Sequence, residues 1–92
     1  MYVMRIEHPV PDFEAWKQAF DSDPIGRKRS GVRRYRVLRA VHDPNYVMID
    51  LEFDGLSEAE AVHAGLRSMW AGVDVMANPQ ARIVEAVETK EY

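Results

Sequence analysis

Three histidines, two tryptophans and a pair of neighbouring carboxylates are the groups in this 92-residue chain with the clearest capacity for chemistry. An imidazole gives or takes a proton near neutral pH, so His8, His42 and His63 are the first candidates. His8 closes a row of alternate residues, Tyr2, Met4 and Ile6. It therefore points into the mouth of a pocket or at a loop carbonyl. His63 and Trp70 are seven apart, which stacks them on one flank of a helix. With His8 and Trp16 they would bring two imidazoles and two indoles to one mouth, a set suited to a flat aromatic ligand. Core packing is the competing reading for every aromatic, because a small domain relies on large rings for burial. A position at the solvent edge is the competing reading for His63.

Other chemistry finds little support. Asp50 and Glu52 share one face of a strand, as an acid–base pair would, but salt-bridge partnership is the expected role. Asp12, Asp21, Asp23 and Asp43 have no metal-ligand spacing, and the histidines show no i, i+4 pair, so no metal site is expected. The five glycines form no phosphate-binding loop and no nucleophile motif is present. Nothing in the sequence calls for a cofactor.

Positioning these groups falls to six elements. Tyr46–Phe53 reads Y-V-M-I-D-L-E-F, a strict alternation that makes a strand with two unlike faces. Tyr2–His8 alternates in the same way until Pro9 and Pro11 end it. Asp12 caps a helix whose stripe is Phe13, Trp16, Ala19 and Phe20, fading at Asp21–Pro24. Arg27, Lys28 and Arg29 are expected in a solvated loop or turn. Val32–Arg39 is a second strand, joined to Tyr46–Phe53 as a hairpin through the turn cluster Val41–Asn45. Ser57 and Glu60 fit a capping box, with Leu56 as staple, for a helix striped by Ala59, Val62, Leu66, Met69, Trp70 and Val73. Gly72 and Asn78-Pro79 end that helix, and Ala81–Glu88 returns as a last strand whose facing is ambiguous. The order β-α-β-β-α-β predicts an α+β, ferredoxin-like fold: a four-stranded antiparallel sheet with two helices on one face.

Length predicts one domain, residues 1–92. A chain of this size buries only about 60–65% of its unfolded surface and gains from association. Hydrophobic residues at 47% and charged residues at 29% fit a soluble globular protein. The net charge of −3 argues against a nucleic-acid partner, and the absence of cysteine excludes disulfides and thiolate chemistry. Arg5 and Glu7 interrupt the apolar start, against a signal peptide or membrane span. A cytoplasmic location is the resulting expectation.

The helices must cover Val47, Ile49, Leu51 and Phe53, with Tyr2, Met4, Ile6 and His8 in the same layer. The opposite face then carries Val3, Arg5, Glu7, Tyr46, Met48, Asp50 and Glu52, joined by Arg34, Arg36 and Leu38. Arginines and carboxylates in matched number around apolar residues suit two sheets pressed together in a symmetric homodimer. Plain exposure to water is the alternative.

The run H-P-V-P-D-F-E-A-W-K from His8 to Lys17, followed by Phe20-Asp21, Arg27, Gly31, Arg39 and Asp43-Pro44-Asn45, resembles small bacterial proteins of the dimeric α/β-barrel superfamily, the antibiotic-biosynthesis-monooxygenase-like or cyclase-like group. The resemblance spans nearly the whole chain. It implies a ferredoxin-like subunit dimerised through its sheet, with a pocket between sheet and helices. Relatives include cofactor-independent oxygenases of polycyclic phenols and haem-degrading enzymes. In the haem-degrading branch an Asn ends the first strand, a Trp ends the third, and a helix histidine binds iron. Here His8 and Phe53 stand at those strand positions, and His63 lies in the corresponding helix. The expected function is binding of a small aromatic or polyketide-like molecule, as a cofactor-free monooxygenase or cyclase. His8 is the expected acid–base, and Trp16, Tyr35, Phe53, His63 and Trp70 the expected ligand-binding residues. A non-catalytic ligand-binding or structural dimer, and a haem-binding protein using His63, are the alternatives.

Overall fold

The alternation at Tyr46–Phe53 becomes the middle of the sheet. In the computed structural model, which describes residues 1–71 and 79–92, the chain runs β1 (Tyr2–Pro9), α1 (Phe13–Asp21), β2 (Val32–Ala40), β3 (Asp43–Phe53), α2 (Leu56–Ala71) and β4 (Gln80–Glu85). The strands lie in the order β2-β3-β1-β4, every neighbouring pair antiparallel. This is the ferredoxin-like arrangement that the element order predicts. Gly72, Val73 and Asn78, read as the end of α2, lie outside the described residues.

Register decides which side chains share a layer. Met4 pairs with Leu51, Ile6 with Ile49 and His8 with Val47. One face of β1 and β3 therefore carries Met4, Ile6, His8, Val47, Ile49, Leu51 and Phe53, all buried beneath the helices. Helix α2 contributes Ala59, Val62 and Leu66 to that core, while Phe13, Trp16, Phe20 and Trp70 pack around it half-buried. Ile83 faces this core opposite Met4 and Val84 faces the other way opposite Val3, which settles the facing of the last strand.

Local differences from the sequence reading have local causes. The β2–β3 turn is only Val41-His42, so β3 starts at Asp43, whose Oδ1 accepts from the Asn45 N–H at 3.1 Å. Strand β4 stops at Glu85, and Val87 beyond it is exposed. Helix α2 begins at Leu56, one residue before Ser57. Ser57 is thus inside the first turn and bonds the Glu58 carboxylate, so the capping box does not form.

The face without helices is a lattice of cross-strand ion pairs. Asp50 accepts from Arg5 Nε at 3.0 Å and Arg36 Nη2 at 3.1 Å, and Glu52 accepts from Arg34 Nε at 2.7 Å. The carboxylates are 4% and 9% exposed, whereas the arginine side chains that cover them remain 59–71% exposed. Asp50 and Glu52 are salt-bridge partners. Beside them the Tyr46 hydroxyl donates to Glu7 at 3.1 Å. Desolvation, then the Glu7 carboxylate as hydrogen-bond acceptor and like charge, raise the Tyr46 phenol above its ordinary value of 10.0. The folded state then keeps this proton where the unfolded chain has lost it. The resulting stabilisation is complete below the unfolded value and disappears as pH rises through the folded one. Tyr46→Phe is expected to flatten the alkaline fall in melting temperature, and a tyrosinate absorbance titration in which all tyrosines ionise together at the ordinary value would contradict this.

Candidate functional site

The helices do not seal the sheet completely. A cavity of about 280 Å³ remains between them, with a floor of Ile6, Ile49 and Leu51 and walls from Trp16, Phe20, Ile25, Leu66, Met69 and Trp70. Among the described residues the lining is almost wholly carbon, with two polar exceptions: His8 and Arg27. The volume lies just below the range of about 300–1,000 Å³ typical of small-molecule sites, so it suits a compact ligand.

His8 reaches the cavity because β1 keeps its alternation to the last pair before Pro9. His8 as a residue is 2% exposed, and its ring meets Trp16 edge-on, with centroids 6.2 Å apart. Nδ1 lies 3.0 Å from the Pro9 carbonyl. A carbonyl only accepts, so Nδ1 carries the proton, and in the neutral ring Nε2 is left with a lone pair. That is the tautomer a general base needs.

Helix α1 supplies the aromatic wall. Asp12 caps it by accepting from the Ala15 N–H at 2.9 Å, and Asn45 pins its first turn by accepting from the Phe13 N–H at 3.1 Å. Spacing of three and four residues then brings Phe13, Trp16 and Phe20 to one flank. Trp16 and Phe20 stack with centroids 5.2 Å apart, and Tyr35 closes edge-on over Phe20 at 5.2 Å.

Arg27 is positioned by the loop after α1. Asp23 adopts a left-handed backbone, φ 55°, and its Oδ1 accepts from the Arg27 N–H at 2.9 Å. This turns the Arg27 side chain inward, where it is 13% exposed. Its guanidinium lies 4.0 Å from the Phe20 centroid and 4.8 Å from that of Tyr35. Nη1 donates to the Phe20 carbonyl at 2.8 Å, and Nε lies 3.5 Å from Asp23 Oδ1. A residue expected in a solvated loop is therefore part of the pocket wall. Three adjacent basic residues carry no periodicity, so the sequence gives no signal of which one turns inward.

The structure brings His8, Trp16 and Trp70 together around the cavity. It places Tyr35 behind Phe20 as a second layer, 43% exposed on its outer side, and Phe53 in the core at 0% exposure. His63 is half-buried on α2 and does not line the cavity, about one helical turn from Leu66 and two from Trp70. The mouth thus holds one imidazole and two indoles. Among the described residues, no cluster of three His, Cys, Asp or Glu could hold a metal ion, and no helix is long and apolar enough to cross a membrane.

No family model matches the chain, and no curated protein is significantly similar to it. Solved structures are. A candidate antibiotic biosynthesis monooxygenase from Deinococcus radiodurans superposes with TM-score 0.76 at 13% identity, covering 100% of this chain and 98% of that one. SnoaB, a cofactor-independent oxygenase from Streptomyces nogalater, gives TM-score 0.73 at 13% identity, over 96% of this chain and 95% of that one. An arginine-to-serine mutant of MhuD, crystallised with two manganese protoporphyrin IX per active site, gives 0.74 at 16% identity over 100% of both chains. Others of this fold are described as dimeric ferredoxin-like proteins. At such identities the likeness speaks to architecture, and it agrees with the topology: the chain has a ferredoxin-like fold, similar to that of proteins described as antibiotic biosynthesis monooxygenases and as dimeric ferredoxin-like proteins.

Proposed function

We propose that the protein binds a flat aromatic or polyketide-like molecule in the cavity between sheet and helices and acts on it as a cofactor-free monooxygenase or cyclase. One observation carries this reading: a carbon-walled cavity holds a single imidazole whose neutral form presents Nε2 as a base. A phenol or enolisable ketone resting against Trp16 would lose its proton to His8. The resulting electron-rich anion is the species that meets dioxygen in an oxygenase or attacks an internal carbonyl in a cyclase, so both chemistries share one first step. A cavity short of water strengthens the interaction between the new anion and the imidazolium.

Two copies are proposed to press their sheets together. Support comes from the ion-pair lattice with Val3, Leu38, Tyr46 and Met48 among the charges, to which the structure adds Val84 and Arg82. A haem-binding role for His63 gains no support from its place away from the cavity wall. A non-catalytic binder would keep the same cavity without needing the His8 base.

The test is titration with 2-naphthol, followed by quenching of Trp16 and Trp70 fluorescence. Saturable quenching is expected in the wild type. In His8→Ala, binding is expected within about tenfold of wild type, while deprotonation of bound naphthol falls by about 10²–10⁴-fold. Retention of full proton transfer in His8→Ala would leave the non-catalytic reading standing.

A further inference from the structure

We infer that Arg27 reads an anionic group on the ligand, so that the cavity selects aromatic acids, phenol or enol at one end and carboxylate at the other. This rests on the cavity being a ligand site and adds the substrate class. The two polar groups that the described residues bring to the wall flank the stacked pair Trp16–Phe20: His8 meets the Trp16 ring edge-on, and the Arg27 guanidinium lies 4.0 Å from the centroid of Phe20. A planar ligand laid along that stack meets a proton acceptor at one end and a cation at the other.

The cation is available for such a role. A guanidinium has five N–H donors. Nη1 commits one to the Phe20 carbonyl, Nε approaches Asp23 at 3.5 Å, and among the described residues Nη2 donates to no protein acceptor. Asp23 lies on the outer side, its side chain 37% exposed, so water screens it more than the Arg27 side chain, which is 13% exposed. Arg27 also belongs to the wall of a second, shallow cleft with Lys28, Arg33 and Arg34, where Asp23 is the sole acid among the described residues. Arg33 and Arg34 answer Asp54 and Glu52. Among the described residues this leaves Lys28 beside Arg27 to meet an anion emerging from the cavity. The Phe20 and Tyr35 rings, 4.0 and 4.8 Å from the guanidinium, both contact the fork and help to orient it, which suits a carboxylate.

The probe is 6-hydroxy-2-naphthoate, with its hydroxyl and carboxylate at opposite ends of a rigid bicycle, against its methyl ester. Tryptophan quenching in the wild type is expected to show the acid bound at least about tenfold tighter than the ester, as one charge-assisted contact provides. Arg27→Gln is expected to bring that ratio near one while leaving ester affinity within about threefold, and Arg27→Lys to keep part of it. A purely structural Arg27 would weaken acid and ester alike. Equal binding of acid and ester by the wild type overturns the inference without any variant, and so does a ratio that survives Arg27→Gln; in either case the cavity remains a ligand site. If neither probe quenches, the ligand-site reading itself fails and this inference falls with it.

Discussion

Phe53→Ala is expected to lower stability by about 3–5 kcal/mol, the loss typical of truncating a buried phenylalanine. Phe53 is 0% exposed and is held on both sides, opposite Tyr2 of β1 and Val32 of β2. Neighbours fixed by two strand ladders cannot collapse into the hole, so the cavity left behind adds to the lost transfer energy. Domains of this size have about 5–15 kcal/mol in total, so the variant is expected to populate unfolded chain near physiological temperature. Urea unfolding followed by far-UV circular dichroism measures the shift. A loss under about 1 kcal/mol would mean that Phe53 is pocket wall rather than core.

Asp50→Lys is expected to leave a monomer, reduced in stability. Its carboxylate answers both Arg5 and Arg36, so lysine there replaces an ion triplet with three cations. Breaking a buried pair costs about 3–5 kcal/mol, and the exposure of both arginines puts this case at or below the lower end. Leu38→Glu separates association from folding. Leu38 is 37% exposed on the same face and pairs with Met48, so a charge there spares the lattice while opposing the partner sheet. Sedimentation velocity at micromolar concentration is expected to show a wild-type dimer and a folded Leu38→Glu monomer. A wild-type monomer, or a Leu38→Glu dimer, would contradict association through this face.

Much of the architecture was legible because alternation is a physical consequence of the pleat. Once Val47, Ile49, Leu51 and Phe53 were assigned to one face, the opposite face followed, and His8 followed from its place at the end of the row Tyr2, Met4, Ile6. Depth was not legible. Phe53 and His8 stand at similar ends of their rows, yet Phe53 has a strand on either side and His8 borders the gap between helices. His63 and Trp70 share a flank, but seven residues at a rise of 1.5 Å put them about 10 Å apart along the axis, so only Trp70 reaches the cavity. Tyr35 had the correct face, but β2 is an edge strand, which leaves it outside Phe20. Arg27 was hidden for a different reason. Its direction comes from the left-handed backbone at Asp23 and the carboxylate there, a loop conformation without sequence periodicity. The ferredoxin-like topology was thus readable from pattern, while the second polar group of the cavity needed the loop.

The most direct test of the central claim is a crystal structure of the protein with 2-naphthol. The account predicts difference density for a flat bicycle between Trp16 and Trp70, its oxygen within about 3 Å of His8 Nε2. Naphthol bound only elsewhere, or a cavity closed by its own side chains at saturating naphthol, would contradict it.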